Sequence, residues 1–265
     1  MTDAEGTGPA AGDGFDESLV RAEMARRWHE TPPEAMDERR TAMRDVADSM
    51  RSIIDHLVAT AAPTELILEM VDQLASIADQ LDDWPSGTLY EGFAEAANAG
   101  ADPHAMFEFS PFIGRANPLA PPILLQEVDG HLEGQVCFGS AYEGPPGCVH
   151  GGYIAGAFDE LLGATQSLSG APGMTARLTV NYRSPTPLRS DLTMRGELTA
   201  VEGRKIFTNG WLYATEADGT QRLCAEAEGL FISMDFGRFA AMKEQREQQE
   251  RSRLEGSDGA EGSQG

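Results

Sequence analysis

Residues 144–163, which read GPPGCVHGGYIAGAFDELLG, constrain the fold of this chain more than any other stretch. They open with a loop of glycine and proline, and a regular element cannot begin until the prolines are passed. The composition then becomes apolar and helix-forming, with small residues between the large ones. A helix that is apolar on nearly every side is typical of one enclosed by other structure. The stretch therefore predicts a Gly/Pro loop that leads into a buried central helix.

The start of this helix is suited to polarise a carbonyl group. The first N–H groups of a helix lack intrahelical partners, and the helix dipole makes that end electropositive. Gly151 and Gly152 carry no side chain, so a substrate carbonyl can come close to those N–H groups. The pattern predicts an oxyanion hole made of backbone. For a Gly-Gly pair taken alone, a simple glycine turn is the alternative.

An acidic pair follows within the predicted helix. Asp159 comes nine residues after His150, which is about 13 Å along a helix axis and too far for an N-cap. A carboxylate among apolar neighbours needs a partner or a role. Glu160 is rotated by about 100° from Asp159, so the two acids do not share one face. We predict a functional role for Asp159, with a solvated face residue as the alternative.

Alternating patterns predict five strands around this helix. One strand precedes it, at 130–138, and four follow, at 175–184, 191–201, 205–215 and 221–234. In the first of the four, alternation places Leu178 and Tyr182 on the face opposite Thr175. The order favours an α+β fold with a single curved antiparallel sheet wrapped around one long central helix.

The motif resembles that of a known family. The string P-x-G-x-V-H-G-G, then six residues, then Asp159 and a further acid, is similar to the acyl-CoA thioesterase superfamily of the hotdog fold, in its phenylacetate-pathway branch. The resemblance covers roughly residues 111–234. It implies a hotdog fold, hydrolysis of an acyl-CoA substrate without metal or cofactor, and a site formed between the subunits of at least a homodimer paired through its sheet edges.

The resemblance also implies catalytic roles. The Gly151 N–H would polarise the thioester carbonyl, and Asp159 would act as general base on water or as nucleophile. Thr175, just after the turn at 170–173, would hold the attacking water. His150 would orient neighbouring groups by hydrogen bonding.

Substrate-binding positions follow less directly. Gly152 and Gly173 flank the expected catalytic groups. Arg183, Arg204 and Lys205 are candidates for the coenzyme A phosphates, and solvated charges on the sheet are the alternative for all three. Some family members carry an Asn six residues before the histidine that contacts the carbonyl, but here that residue is Gly144. The second carbonyl donor must then be another group, such as the Gly152 amide.

The remaining chain divides into recognisable segments. Residues 1–35 are expected to be mostly disordered, and 237–265 to form a charged helix and a disordered tail. Two amphipathic patterns within 36–85 predict an antiparallel helical hairpin, packed on the main domain or a partner subunit. A separate regulatory or partner-binding module is the alternative. A proline-rich connector at 86–122, expected to cross the main domain near the site, leads to the thioesterase domain at 123–236.

Composition limits the possible partners and compartments. The formal net charge is −23, and such a surface repels nucleic acid and anionic membranes. A phosphate-rich ligand would therefore need a local basic patch. Three cysteines without ligand or redox spacing fit a reducing cytoplasm. The sequence also shows no pattern of a signal peptide or of a membrane span.

Two other functions remain open at this point. A non-catalytic acyl-CoA-binding or protein-interaction module of the same fold needs neither Asp159 nor Thr175, so their joint presence favours an enzyme. A hydratase or dehydratase of this fold would need a differently spaced histidine and acid. Neither His104 nor His131 is well placed for that role.

Overall fold

The computed structural model describes residues 36–84, 107–171 and 173–233. The segments predicted at 1–35 and 237–265, and the first part of the connector, lie outside these ranges. The described ranges contain three α-helices, one 3-10 helix and six strands: α1 Glu38–Leu57, α2 Thr64–Asp82, β1 Leu124–Val128, β2 His131–Val136, the 3-10 helix Ser140–Tyr142, α3 Gly151–Ser167, β3 Gly173–Tyr182, β4 Leu192–Glu202, β5 Lys205–Thr215 and β6 Gln221–Ser233.

The strands form one antiparallel sheet in the order β1-β2-β4-β5-β6-β3. Helix α3 packs on one face of this sheet, and Phe158, Leu161 and Leu162 are fully buried there. Glycines let the helix come close to the strands. A side chain at Gly210 would meet Leu162 at 3.0 Å and Phe158 at 3.2 Å. The predicted α+β hotdog arrangement, a curved sheet around one central helix, is confirmed.

Strand β1 is the one strand of the described sheet that the sequence analysis missed. It forms a hairpin with β2 through Asp129 and Gly130, which both have positive φ angles. Asp-Gly between two short strands is a known signal for this kind of tight turn. The signal was present in the sequence, but residues 124–128 read LLQEV and do not alternate between apolar and polar, so they did not stand out as a strand.

A bulge in β3 changes which side chains face the helix. The pairing of β3 with β6 shifts register between Thr175 and Arg177, which leaves Ala176 as the extra residue. A bulge reverses the alternation beyond it. Thr175 therefore faces α3 on the same side as Leu178 and Tyr182, and the predicted opposite placement is wrong.

The last part of the proline-rich segment, residues 107–123, lies across α3 as predicted. Phe112 packs directly over Gly156, where any side chain would overlap its ring. The Phe112 carbonyl also accepts a hydrogen bond from the Ile123 N–H (2.9 Å). This segment covers part of the helix surface that the sheet leaves open.

The two N-terminal helices form where the patterns predict them, but within one chain they are not packed into a hairpin. Helix α1 rests on the domain through polar contacts. Arg40 and Arg44 bind the buried Glu108 (2.7 and 2.5 Å), and Asp55 accepts a hydrogen bond from the Ser140 N–H. No residue of α2 is buried, and α1 and α2 do not pack along each other. An apolar helix face in the sequence indicates that the helix packs against something, but it does not identify the surface against which it packs.

Candidate functional site

The loop before α3 is held firmly in place by backbone hydrogen bonds. The Val149 N–H donates to the Thr186 carbonyl and the His150 N–H to the Tyr142 carbonyl, both at 2.9 Å. The Gly144 N–H donates to the Cys148 carbonyl at 2.9 Å, so the loop folds back upon itself. A Cβ at Gly144 would lie 2.7 Å from the His150 Cα. The loop therefore has no room for an asparagine at this position.

One N–H group at the start of α3 is left available. The Tyr153 N–H donates to the His150 carbonyl (3.0 Å), and the Gly152 N–H donates to the His150 Nδ1 (3.0 Å). The Gly151 N–H has no acceptor within the described part of the chain. His150 is the N-cap residue of α3, and its side chain accepts the Gly152 hydrogen bond. In this arrangement Gly151, and not Gly152, offers a donor to a ligand.

Asp159 and Thr175 form the second half of the site. The Thr175 hydroxyl donates to Asp159 Oδ1 at 2.9 Å, and both residues are exposed. Gly152, seven residues before Asp159, lies on the same side of α3 and is also exposed. The prediction that α3 is enclosed is thus wrong for this one side, which is open to solvent in the single chain.

The two halves of the site are apart within one chain. Gly151 and Asp159 are eight residues apart on one straight helix, about 12 Å in axial rise. A thioester carbon and its oxygen cannot contact both groups at that separation. Within one chain, the Gly151 N–H and the Asp159–Thr175 pair therefore do not form a single site.

Glu160 has a different environment from Asp159. The residue is partly buried, and its carboxyl group takes a hydrogen bond from the buried Ser110 hydroxyl. Burial raises the pKa of Glu160 to about 7, with a smaller raising effect from the neighbouring Asp159 charge. The Ser110 hydrogen bond opposes this rise in pKa. The expectation that the two acids do not share a face is confirmed.

The chain closely resembles proteins of one family. A family model described as the thioesterase superfamily matches residues 146–216. The crystal structure of protein RHA08564, a thioesterase superfamily protein, is 33% identical, with a TM-score of 0.63; the match covers 77% of this chain and 94% of that one. The chain belongs to the thioesterase superfamily.

Curated thioesterases of this superfamily match a shorter part of the chain. Acyl-coenzyme A thioesterase THEM4 of Bos taurus is 37% identical over 97 residues, and THEM5 of Homo sapiens is 30% identical over 96 residues. The matches cover 37% and 36% of this chain. The chain spans only 38% of the length of each of these two relatives.

The three basic residues predicted to bind the coenzyme A phosphates do not form one patch in a single chain. Arg183 follows the end of β3 and pairs with Glu226 of the neighbouring strand. Arg204 and Lys205 lie at the turn between β4 and β5, and the Arg204 side chain donates to the Ser233 carbonyl (3.2 Å). Ser233 pairs with Gly173, at the opposite end of β3 from Arg183.

Gly173 itself has a packing reason to be glycine. A Cβ there would lie 3.1 Å from both the Gln166 side-chain oxygen and the Ile232 carbonyl oxygen. Within the three described ranges, no group of His, Cys, Asp or Glu side chains is arranged as a metal site. None of the helices in those ranges is both long and apolar enough to span a bilayer.

Sequence reasoning missed one residue at the helix start. Tyr182, the last residue of β3, donates its hydroxyl hydrogen bond to the Gly151 carbonyl at 2.8 Å. Strand alternation alone counted Tyr182 as an ordinary apolar position. Its distance in sequence from Gly151 left no local signal of this contact.

Proposed function

We propose that this chain hydrolyses acyl-CoA thioesters to a free acid and coenzyme A. The observation that carries the proposal is the hydrogen bond between Thr175 and Asp159 on the exposed side of α3. A hydroxyl and a carboxylate in contact can hold one water between them and accept its proton. The curated relatives that match are acyl-coenzyme A thioesterases, which supports the same substrate class.

The proposed reaction needs only groups of the protein and water. The Gly151 N–H binds the thioester carbonyl oxygen, and the carbonyl carbon is attacked by a water that Thr175 and Asp159 hold. Asp159 takes the proton of that water, and negative charge on the oxygen is stabilised at the electropositive helix start. When the tetrahedral intermediate collapses, the C–S bond breaks. Coenzyme A then leaves as thiolate and takes up the proton that Asp159 holds, which restores the carboxylate.

Direct attack by the Asp159 carboxylate is the other form of this mechanism. It would break the C–S bond, release coenzyme A as thiolate and give an acyl anhydride with Asp159, which water then hydrolyses to the free acid. Thr175 would in that case orient the carboxylate by its hydrogen bond. Both forms use the same residues and require no metal or cofactor.

A second copy of the chain would complete the site. Strand β3 is an edge of the sheet and is ten residues long, with an open row of backbone groups. Antiparallel pairing of two β3 edges about a two-fold axis brings the Tyr182 end of one strand beside the Thr175 end of the other. The Gly151 of one chain would then serve with the Asp159 of the second chain. We propose a homodimer of this kind.

Finer assignments belong to the same proposal. The motif supports the phenylacetate-pathway branch of the superfamily, and the three unpatterned cysteines support a cytoplasmic location. In an antiparallel dimer, Arg183 of one copy would lie near the end of the sheet that carries Arg204 and Lys205 in the second copy. That arrangement would supply the local basic patch that a coenzyme A phosphate needs on a chain of net charge −23.

Thiol release from a panel of short-chain, long-chain and aromatic acyl-CoAs tests this function. Wild type is expected to turn over at least one member, and Asp159→Asn to lose about 10²- to 10⁴-fold in kcat, the usual contribution of a general base. Glu160→Gln is the matched control, because it makes the same change at the next residue and should keep activity. Binding of acyl-CoA by wild type without turnover on any member would instead favour a non-catalytic module.

A further inference from the structure

Tyr182 is largely exposed, yet its hydroxyl group makes a specific hydrogen bond to α3. Its side chain reaches from the edge strand β3 to the first turn of α3, and the residue is 54% exposed. The hydroxyl donates to the Gly151 carbonyl oxygen at 2.8 Å. It also lies 3.2 Å from the point that a Cβ at Gly151 would occupy. The hydroxyl therefore uses the space that the missing side chain leaves.

The peptide unit between Gly151 and Gly152 is held at both of its polar ends. Its carbonyl accepts from Tyr182, and its N–H donates to the His150 Nδ1 at 3.0 Å. The preceding peptide unit is held through the His150 carbonyl, which accepts from the N–H groups of Tyr153 (3.0 Å) and Ile154 (3.3 Å). The Gly151 N–H belongs to the preceding unit, and the Tyr182 hydrogen bond holds the unit that is joined to it at the Gly151 Cα.

A helix that begins with two glycines needs such support. Glycine has more backbone freedom to lose than any other residue, and the first turn of a helix has few bonds of its own. A donor stabilises a developing oxyanion best when it is already aligned before the reaction. A misdirected Gly151 N–H would still bind a carbonyl, but more weakly as negative charge develops.

We propose that Tyr182 is a positioning residue that, together with His150, fixes the Gly151 N–H as the oxyanion donor. The proposal rests on the proposed function for its catalytic consequence. Tyr182 does not contact the reacting atoms in this account. It acts through the Gly151 carbonyl, and its effect should fall on the transition state more than on substrate binding.

The direct test is Tyr182→Phe, which removes the hydroxyl and keeps the ring. With the best substrate of the acyl-CoA panel, kcat should fall roughly tenfold, as expected for one lost hydrogen bond, while KM changes less than about twofold. Tyr213→Phe, on the outer face of β5, makes the same chemical change away from the site and should leave both constants unchanged. A Tyr182→Phe enzyme with wild-type kcat, or with only KM raised, would overturn the positioning role.

A second readout does not depend on turnover. In assigned NMR spectra of the ligand-free protein, Tyr182→Phe should shift the Gly151 and Gly152 amide signals and speed solvent exchange of the Gly152 proton severalfold. Tyr213→Phe should do neither. If the Gly151 and Gly152 amide signals change but wild type hydrolyses no member of the panel, Tyr182 positions this backbone and the proposed function is wrong. If the amide signals do not change and wild type is active, the proposed function stands and the positioning role of Tyr182 is wrong.

Discussion

Gly151 occupies the first position of α3, where a helix tolerates proline because the N–H there has no intrahelical partner. The preceding His150 has φ −62° and ψ 131°, a conformation that a following proline allows. Gly151→Pro therefore removes the proposed oxyanion donor with little change to the helix. We expect kcat to fall by about 10²- to 10³-fold in thiol-release assays.

Gly151→Ala is the control for that substitution. It adds a Cβ at 3.2 Å from the Tyr182 hydroxyl but keeps the N–H. Its kcat should stay well above that of Gly151→Pro. Equal losses in the two variants would mean that crowding at Tyr182, and not the missing N–H, lowers the rate.

Thr175 is predicted to act through its hydroxyl. Thr175→Val keeps the shape of the side chain and removes the hydrogen bond to Asp159, so kcat should fall by about 10- to 100-fold, the range for a bond to a charged group. Thr175→Ser restores the hydroxyl and should recover most of the rate. Steady-state thiol release measures both, and a Val variant as active as Ser would rule out a role for the hydroxyl.

For single residues, the sequence predicts the position of a side chain where spacing along one helix or strand sets that position. Helix periodicity separates Asp159 from Glu160, and the turn at 170–173 places Thr175 at the start of β3. Tyr182 was not predictable as a partner of Gly151, because the two residues are 31 positions apart. The bulge at Ala176 was also hidden, because it is set by pairing with β6 and leaves no sign in the alternation of β3 itself.

Among the elements, the segment 107–123 covers α3 and encloses the carboxyl group of Glu160. The folded protein holds the pKa of Glu160 at about 7, above the ordinary 4.5, so it binds this proton more tightly than the unfolded chain does. Stability must then fall as pH rises from about 4.5 to about 7, because the buried group becomes charged. Glu160→Gln, which stays neutral, should gain about 2 to 3 kcal/mol relative to wild type between pH 5 and pH 8.

Urea unfolding at the two pH values measures this difference. Glu202→Gln, at an exposed position of β4, is the control and should follow wild type at both. If the stability difference between Glu160→Gln and wild type is the same at pH 5 and pH 8, the Glu160 carboxyl group is not held neutral in the folded state.

Helix α1 is fixed to the domain by a buried charge cluster. Arg40 and Arg44 bind Glu108, and these hydrogen bonds outweigh the opposing effect of burial and lower the pKa of Glu108. Glu108→Ala leaves two arginines without their carboxylate and should reduce the free energy of unfolding by about 3 kcal/mol. Glu197→Ala breaks the exposed pair with Arg195 and should cost less than about 1 kcal/mol in the same urea titration.

For whole helices and strands, the sequence predicts which elements form but not how they pack. The order and type of helices and strands follow from periodicity, and five of the six strands of the described sheet were predicted in that way. Which elements cover one another does not follow. Arg44 of helix α1 is buried against Glu108, a residue 64 positions away, and no local pattern shows that contact. The apolar side of α2 faces no other element of the described chain.

In the proposed dimer, groups from two chains hold one thioester. The donor at Gly151 and the Asp159–Thr175 pair lie at different levels of the same helix and on a side that is open to solvent. Edge strand β3 lies next to both groups, since Thr175 is near its start and Tyr182 is its last residue. A dimer paired through β3 would cover this side and bring the two halves together.

Subunit complementation tests whether the site is shared between two chains. Gly151→Pro and Asp159→Asn are each expected to be nearly inactive, because each homodimer lacks the same half of both sites. A heterodimer of the two variants, purified through different tags on the two chains, contains one site with both groups intact. Its thiol-release rate should return to about half that of wild type, the share of one intact site in two. A heterodimer as inactive as its two parents would contradict a site shared between chains.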